Sequence, residues 1–189
     1  MKYITYFATL FAYASIHMMR MSIPFVQLKL MDFFKIDKFQ MGLANALLYI
    51  VIGISYFWRA LYPIQERQFT YLWSMSLCNL SFLIIPVLIS FNAPITPMFY
   101  ICLAGFGFFH TVAWPTLLSL VHAYFLPKRD GCMLGFWSAN GDIGNILGFA
   151  ICTFITYNLN LPFQACLYTI VSLSIIMSLC VYKIRIEPD

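Results

Sequence analysis

Charge is what this sequence has least of. Only 10% of its 189 residues are Asp, Glu, Lys or Arg, against about 25% in an ordinary soluble domain. That scarcity excludes a fold whose whole surface meets water. Long polar stretches are missing as well, so there is no room for a soluble domain beside the apolar one. The six cysteines, Cys78, Cys102, Cys132, Cys152, Cys166 and Cys180, show no CxxC spacing. They read as small packing residues, which excludes a disulfide framework and a structural metal site. No nucleophile, base and orienting group are spaced as a catalytic set, and no pattern calls for a cofactor, so the chain does not read as an enzyme.

What remains is apolar. Hydrophobic residues make up 62% of the chain and the mean hydropathy is +0.82, which places the protein in the bilayer. A spanning helix needs roughly 20 apolar residues. Cutting the chain at charges and proline clusters predicts six, at about 3–28, 40–58, 69–91, 98–125, 132–157 and 163–182. The expected fold is therefore an all-α membrane protein, one six-helix domain over 1–189. Continuous runs of this length favour helices over the alternating strands of about 10 residues in a barrel. Pro24, Pro86 and Pro115 fall inside spans and predict kinks, not breaks.

Loop charges set the expected orientation. One face collects Lys2, Arg59, Arg67, Lys128, Arg129, Lys183 and Arg185, while the other has Lys29, Lys35 and Lys38 beside Asp32 and Asp37. Both termini are expected on the cytoplasmic side, or on the matrix side if the membrane is the mitochondrial inner membrane. This bias accounts for the net charge of +4 without a nucleic-acid partner. Residues 2–16, KYITYFATLFAYASI, have the charged start and apolar core of a signal peptide, but the apolar run continues through Met18, Met19 and Ile23. An uncleaved first span is the expectation.

Four ionisable residues lie inside the predicted spans: His17, Arg20, His110 and Asp142. A charge at a helix centre costs about 2.5–3.5 kcal/mol by insertion scales, so each must face protein or water. Tyr13, His17 and Arg20, spaced i, i+4, i+7, share one helix face. Arg20 offers a planar fork that suits phosphate or carboxylate; alternatively it is an ion-paired strut. His110 alone reads as hydrogen-bonded glue between helices. Gly131, Gly135, Gly141, Gly144 and Gly148, with GxxxG pairs at 131/135 and 144/148, predict a seam of close helix packing in the fifth span.

On these residues a resemblance emerges. The run HTVAWPTLLSLVHAYFLPKRDGCMLGFWSANGDIGNILG (110–148), with its Trp-Pro pair, basic Arg-Asp-Gly loop and WSA…GNILG stretch, resembles helices four and five of the organophosphate:phosphate antiporters of the major facilitator superfamily. The similarity is to the glycerol-3-phosphate permease and sugar-phosphate exchanger branch. FAYASIHMMRMSIPFVQLKL (11–30) is similar to that family's first helix, where Arg20 matches the arginine that holds substrate phosphate. The resemblance implies a twelve-helix transporter of two six-helix halves, of which this chain corresponds to the first, with Tyr13, His17, Arg20 and His110 as substrate-binding candidates.

Three departures shape the expectation. Met21 stands where the family has lysine, WRALYPIQERQF (58–69) lacks the Gly and Asp of the superfamily's Gly-x-x-x-Asp-Arg latch, and Asp142 stands where the family has a neutral residue or histidine. A carboxylate in the cavity repels an anion and neutralises Arg20. The sequence therefore favours Arg20 and Asp142 as a structural ion pair. The expected protein is a transporter-derived, half-length subunit, surrounded by membrane lipids and packed against other membrane subunits, without transport of its own. The alternative is half of an antiporter of organic phosphate and phosphate, completed by a second copy or a partner half.

Overall fold

The computed structural model describes residues 2–61, 67–125 and 131–183. Side chains are described for most of these, but not for Lys2 and Arg67. Lys128, Arg129 and Arg185 of the positive face, and residues 62–66 of the altered latch segment, lie outside the described residues.

Every regular element described is helical. In chain order these are α1 (Lys2–Phe34), α2 (Lys38–Leu61), α3 (Arg67–Ser90), α4 (Thr96–Phe125), α5 (Gly131–Ser138), α6 (Asn140–Thr153), a π-helical turn (Phe154–Asn158) and α7 (Phe163–Lys183). The helix ends follow from local chemistry. Lys35 takes a left-handed φ of 55° after α1, and the Ile36 amide donates back to the Met31 carbonyl at 3.1 Å. Asp37 and Gln40 then form a reciprocal capping box: the Gln40 amide donates to Asp37 Oδ1 at 2.7 Å and the Asp37 amide to Gln40 Oε1 at 3.0 Å. Asn92 and Asn160, both at φ 51°, turn the chain after α3 and after the π turn.

Among the described residues, four stretches are long and apolar enough to cross a bilayer: Lys38–Leu61, Phe69–Ser90, Thr96–Ser119 and Phe163–Lys183. α1 is longer, but its hydroxyls, His17 and Arg20 dilute its apolar character. The segment expected as one continuous fifth helix at 132–157 is divided at Ala139 into α5 and α6, neither long enough alone. The break has no proline. Ala139 is a turn residue, and the buried Asn140 side chain donates through Nδ2 to the Trp137 carbonyl at 2.6 Å, meeting an acceptor that the interrupted ladder leaves free. The three prolines do not break their helices, since α1, α3 and α4 run on through Pro24, Pro86 and Pro115.

α1 packs chiefly against α6 and α7, while α4 packs against α3, α2 and α1, and α3 also meets α7. The core is aromatic-rich, with Trp137, Tyr6, Tyr13, Tyr71, Phe34, Phe82, Phe99 and Phe106 all fully buried. α1 thus lies centrally, and residues on its inward face meet α4 on one side and α6 on another.

Candidate functional site: an aromatic and histidine cluster under Arg20

Tyr13 organises the centre. It is buried on α1, and its hydroxyl lies 3.0 Å from His110 Nε2 of α4. The His17 ring stands edge-on to Tyr13 at 5.1 Å and to His110 at 5.5 Å between centroids. Phe106 stacks parallel to His110, one helical turn away on α4, at 6.0 Å. Below Tyr13 the cluster continues through Trp114 at 4.8 Å and from there to Trp137 of α5 at 5.1 Å. The Trp137 indole donates to Thr9 Oγ1 at 3.1 Å, which fixes α5 to α1.

Arg20 sits one turn beyond His17 and two beyond Tyr13, half-buried, with its guanidinium near enough to act electrostatically on Tyr13, His17 and His110, and on Tyr56 of α2. The four substrate-binding candidates read from the sequence are therefore brought into one neighbourhood by α1 and α4. Tyr56, Trp114 and Trp137 join them; the two tryptophans belong to the Trp-Pro pair and the WSA stretch of the family resemblance but are not among the site residues read from it. Tyr56 is exposed on α2, and its flanking Ser55 and Arg59 do not tie it to Tyr13 in the sequence; Trp114 meets Tyr13 directly and Trp137 meets Trp114. Nδ1 of both His17 and His110 is buried without a hydrogen-bond partner among the described residues. No set of three or more His, Cys, Asp or Glu side chains converges as metal ligands among those residues.

The expected Arg20–Asp142 pair is not formed. Among the described residues neither side chain takes part in an ion pair, and Asp142 is exposed on α6. The physical reason is its neighbour. Gly141 faces α1, with the His17 ring 3.5–3.8 Å from where its Cβ would stand. A step of one residue turns a helix by about 100°, which points Asp142 away from α1.

The glycine seam is real over part of its predicted length. A Cβ at Gly144 would strike the Ala14 carbonyl and lie 2.7 Å from His17 Cβ, and one at Gly148 would lie 2.8 Å from Met18 Cα. Gly141, Gly144 and Gly148 thus let α6 press onto α1 at Ala14, His17 and Met18. Gly131 and Gly135 are not part of this seam, because nothing described lies within 4 Å of a Cβ at either position.

These features define an integral membrane helical protein whose half-buried arginine is backed by tyrosine and histidine. Residues 5–189 match the family model of the Major Facilitator Superfamily, and the chain belongs to that superfamily. Among curated proteins it is similar to putative glycerol-3-phosphate transporters of Arabidopsis thaliana. It is 38% identical to transporter 3 over 47 residues, 25% of this chain and 9% of that one. It is 38% identical to transporter 2 and 36% to transporter 1, each over 45 residues, 24% of this chain and 9% of the relative. The matched stretch thus spans under a tenth of those relatives' length.

Proposed function

We propose that this chain forms one six-crossing wall of a transporter cavity, in which Arg20 holds an organic phosphate or phosphate anion. The six crossings are α1, α2, α3, α4, the α5–α6–π segment taken as one, and α7. A second helical unit closes the cavity. The observation that carries this reading is the half-buried Arg20 on the same face of α1 as Tyr13 and His17, beside His110 of α4. Its planar fork suits phosphate oxygens. The Tyr13 hydroxyl and the histidines supply hydrogen-bonding groups beside it. Similarity to putative glycerol-3-phosphate transporters supports an organic phosphate as the anion.

A second reading has its own observations. The segment 58–69 lacks the superfamily's latch Gly and Asp, and Asp142 puts a negative charge on the exposed side of α6. Both favour a transporter-derived subunit that packs in a larger membrane assembly without exchanging solutes.

Reconstitution separates the two. Vesicles holding the purified protein with its natural partners are loaded with phosphate and tested for exchange against external glycerol phosphate. Exchange that falls at least tenfold, about 1.4 kcal/mol, in Arg20→Lys supports the anion site, because lysine keeps the charge and loses the fork. Exchange indifferent to Arg20→Lys overturns it, and a correctly assembled sample with neither exchange nor phosphate binding favours the subunit.

A further inference from the structure

Away from the Arg20 cluster, the seam between α3 and α7 holds a cavity of about 280 Å³. On α3 its lining recurs at positions 72, 75, 76, 79, 80 and 83, one face of a helix. Most of the walls are leucine, methionine and isoleucine side chains, and no charged side chain takes part. Leu80 and Leu179 are exposed at the rim, so the cavity opens on the outside of the bundle.

Its polar groups are Ser76, Asn79 and Ser178. Asn79 is the single amide side chain in the apolar stretch Phe69–Ser90. It is 5% exposed, and its Oδ1 is buried without a hydrogen-bond partner among the described residues. Ser178 does not supply the missing proton, because its hydroxyl donates to the Ser174 carbonyl at 2.7 Å. An unmet acceptor therefore stands in an apolar cavity, where leaving it bare is costly.

Size and depth select what meets it. One water occupies about 30 Å³, whereas a cavity of 280 Å³ is close to the lower end, about 300 Å³, of small-molecule pockets. Asn79 lies ten residues into a stretch long and apolar enough to cross the bilayer, about 15 Å along it, half of the roughly 30 Å hydrocarbon thickness. A donor arriving there comes from the hydrocarbon phase. Uncharged walls exclude an ionic headgroup. A helix resting on the rim leucines would not reach an amide so far recessed.

We infer that the α3–α7 cavity binds a neutral, lipid-soluble alcohol, its hydroxyl donating to Asn79 Oδ1 and its apolar body filling the leucine-lined space. The site shares no residue with the Arg20 cluster, and phosphate binding is not assumed.

Photolabelling of the full protein in phosphatidylcholine vesicles tests this. The probes are octanol bearing a diazirine and octane bearing the same group, and labelled residues are mapped by mass spectrometry. The alcohol is expected to label residues 72–83 of α3 and 175–179 of α7 about tenfold more than the hydrocarbon does, a factor within reach of one hydrogen bond. Excess plain octanol is expected to suppress that labelling. Asn79→Leu is expected to bring the alcohol down to the hydrocarbon's level, and Ser76→Phe, which places a ring at an exposed lining position, to block both probes. Thermal unfolding checks each variant; if Asn79→Leu does not fold, the comparison of the two probes on the unaltered protein and Ser76→Phe still decide. Equal labelling by alcohol and hydrocarbon, no labelling of these two segments, labelling spread evenly over the exposed face of α2, or a preference unchanged in Asn79→Leu would each overturn the inference. Phosphate exchange enters none of these readouts, so their failure leaves the anion site standing.

Discussion

At the scale of single residues, the bond from Tyr13 to His110 is the internal support of the candidate site. Both groups are buried, so removing one leaves the other short of a partner. Polar contacts between membrane helices contribute on average about 0.6 kcal/mol and up to about 1.7. A double-mutant cycle with Tyr13→Phe and His110→Leu, read as unfolding free energy in mild detergent, is expected to give a coupling in that range. Additive effects would show that the 3.0 Å approach contributes nothing. The members of this cluster on α1 were legible because Tyr13, His17 and Arg20 repeat at helical spacing within an apolar run, where polar side chains are expensive. The Arg20–Asp142 pairing was not legible. Sequence gives the charges but not the angular position of Asp142 on its helix, and the glycines that decide it point the neighbouring Gly141 toward α1.

At the scale of elements, the contact of α6 with α1 depends on what its glycines lack. Gly144→Ala drives a methyl into the Ala14 carbonyl of the α1 backbone and into His17 Cβ. It is expected to cost about 1–3 kcal/mol by overpacking, and, because His17 is the contact, to weaken phosphate binding with it. Gly135→Ala meets open space and is expected to leave the stability of the isolated unit unchanged or slightly raised, since alanine is the better helix former. Thermal unfolding of the two variants side by side checks the contrast, and equal losses would contradict it. The spacing of these glycines announced a seam but could not say which of them contribute. The division at Ala139 was illegible for a related reason: the usual signal of a break is proline, whereas here an asparagine side chain caps the interrupted ladder from within. Most other boundaries follow signals carried in the sequence, such as the Asp37…Gln40 box and the asparagines at 92 and 160.

At the scale of the whole molecule, the path of the chain through the bilayer has consequences for every site. If α1 to α7 make six crossings, the end of α1 and the start of α2 share a face, and the connection after α4 lies on the opposite one. Lys38 opens α2 beside the capping box, on the face expected to carry fewer positive charges. Arg129 lies in the basic stretch 126–131 between α4 and α5. Cysteines introduced singly at these two positions are expected to react with a membrane-impermeant thiol reagent from opposite sides, Arg129→Cys from the cytoplasmic or matrix side. The native thiols provide the control: Cys78, Cys102, Cys152 and Cys166 are buried and expected to stay unlabelled, while Cys132 and Cys180 are exposed at helix surfaces and are replaced by serine first. Labelling of both introduced cysteines from one side would remove a crossing between them.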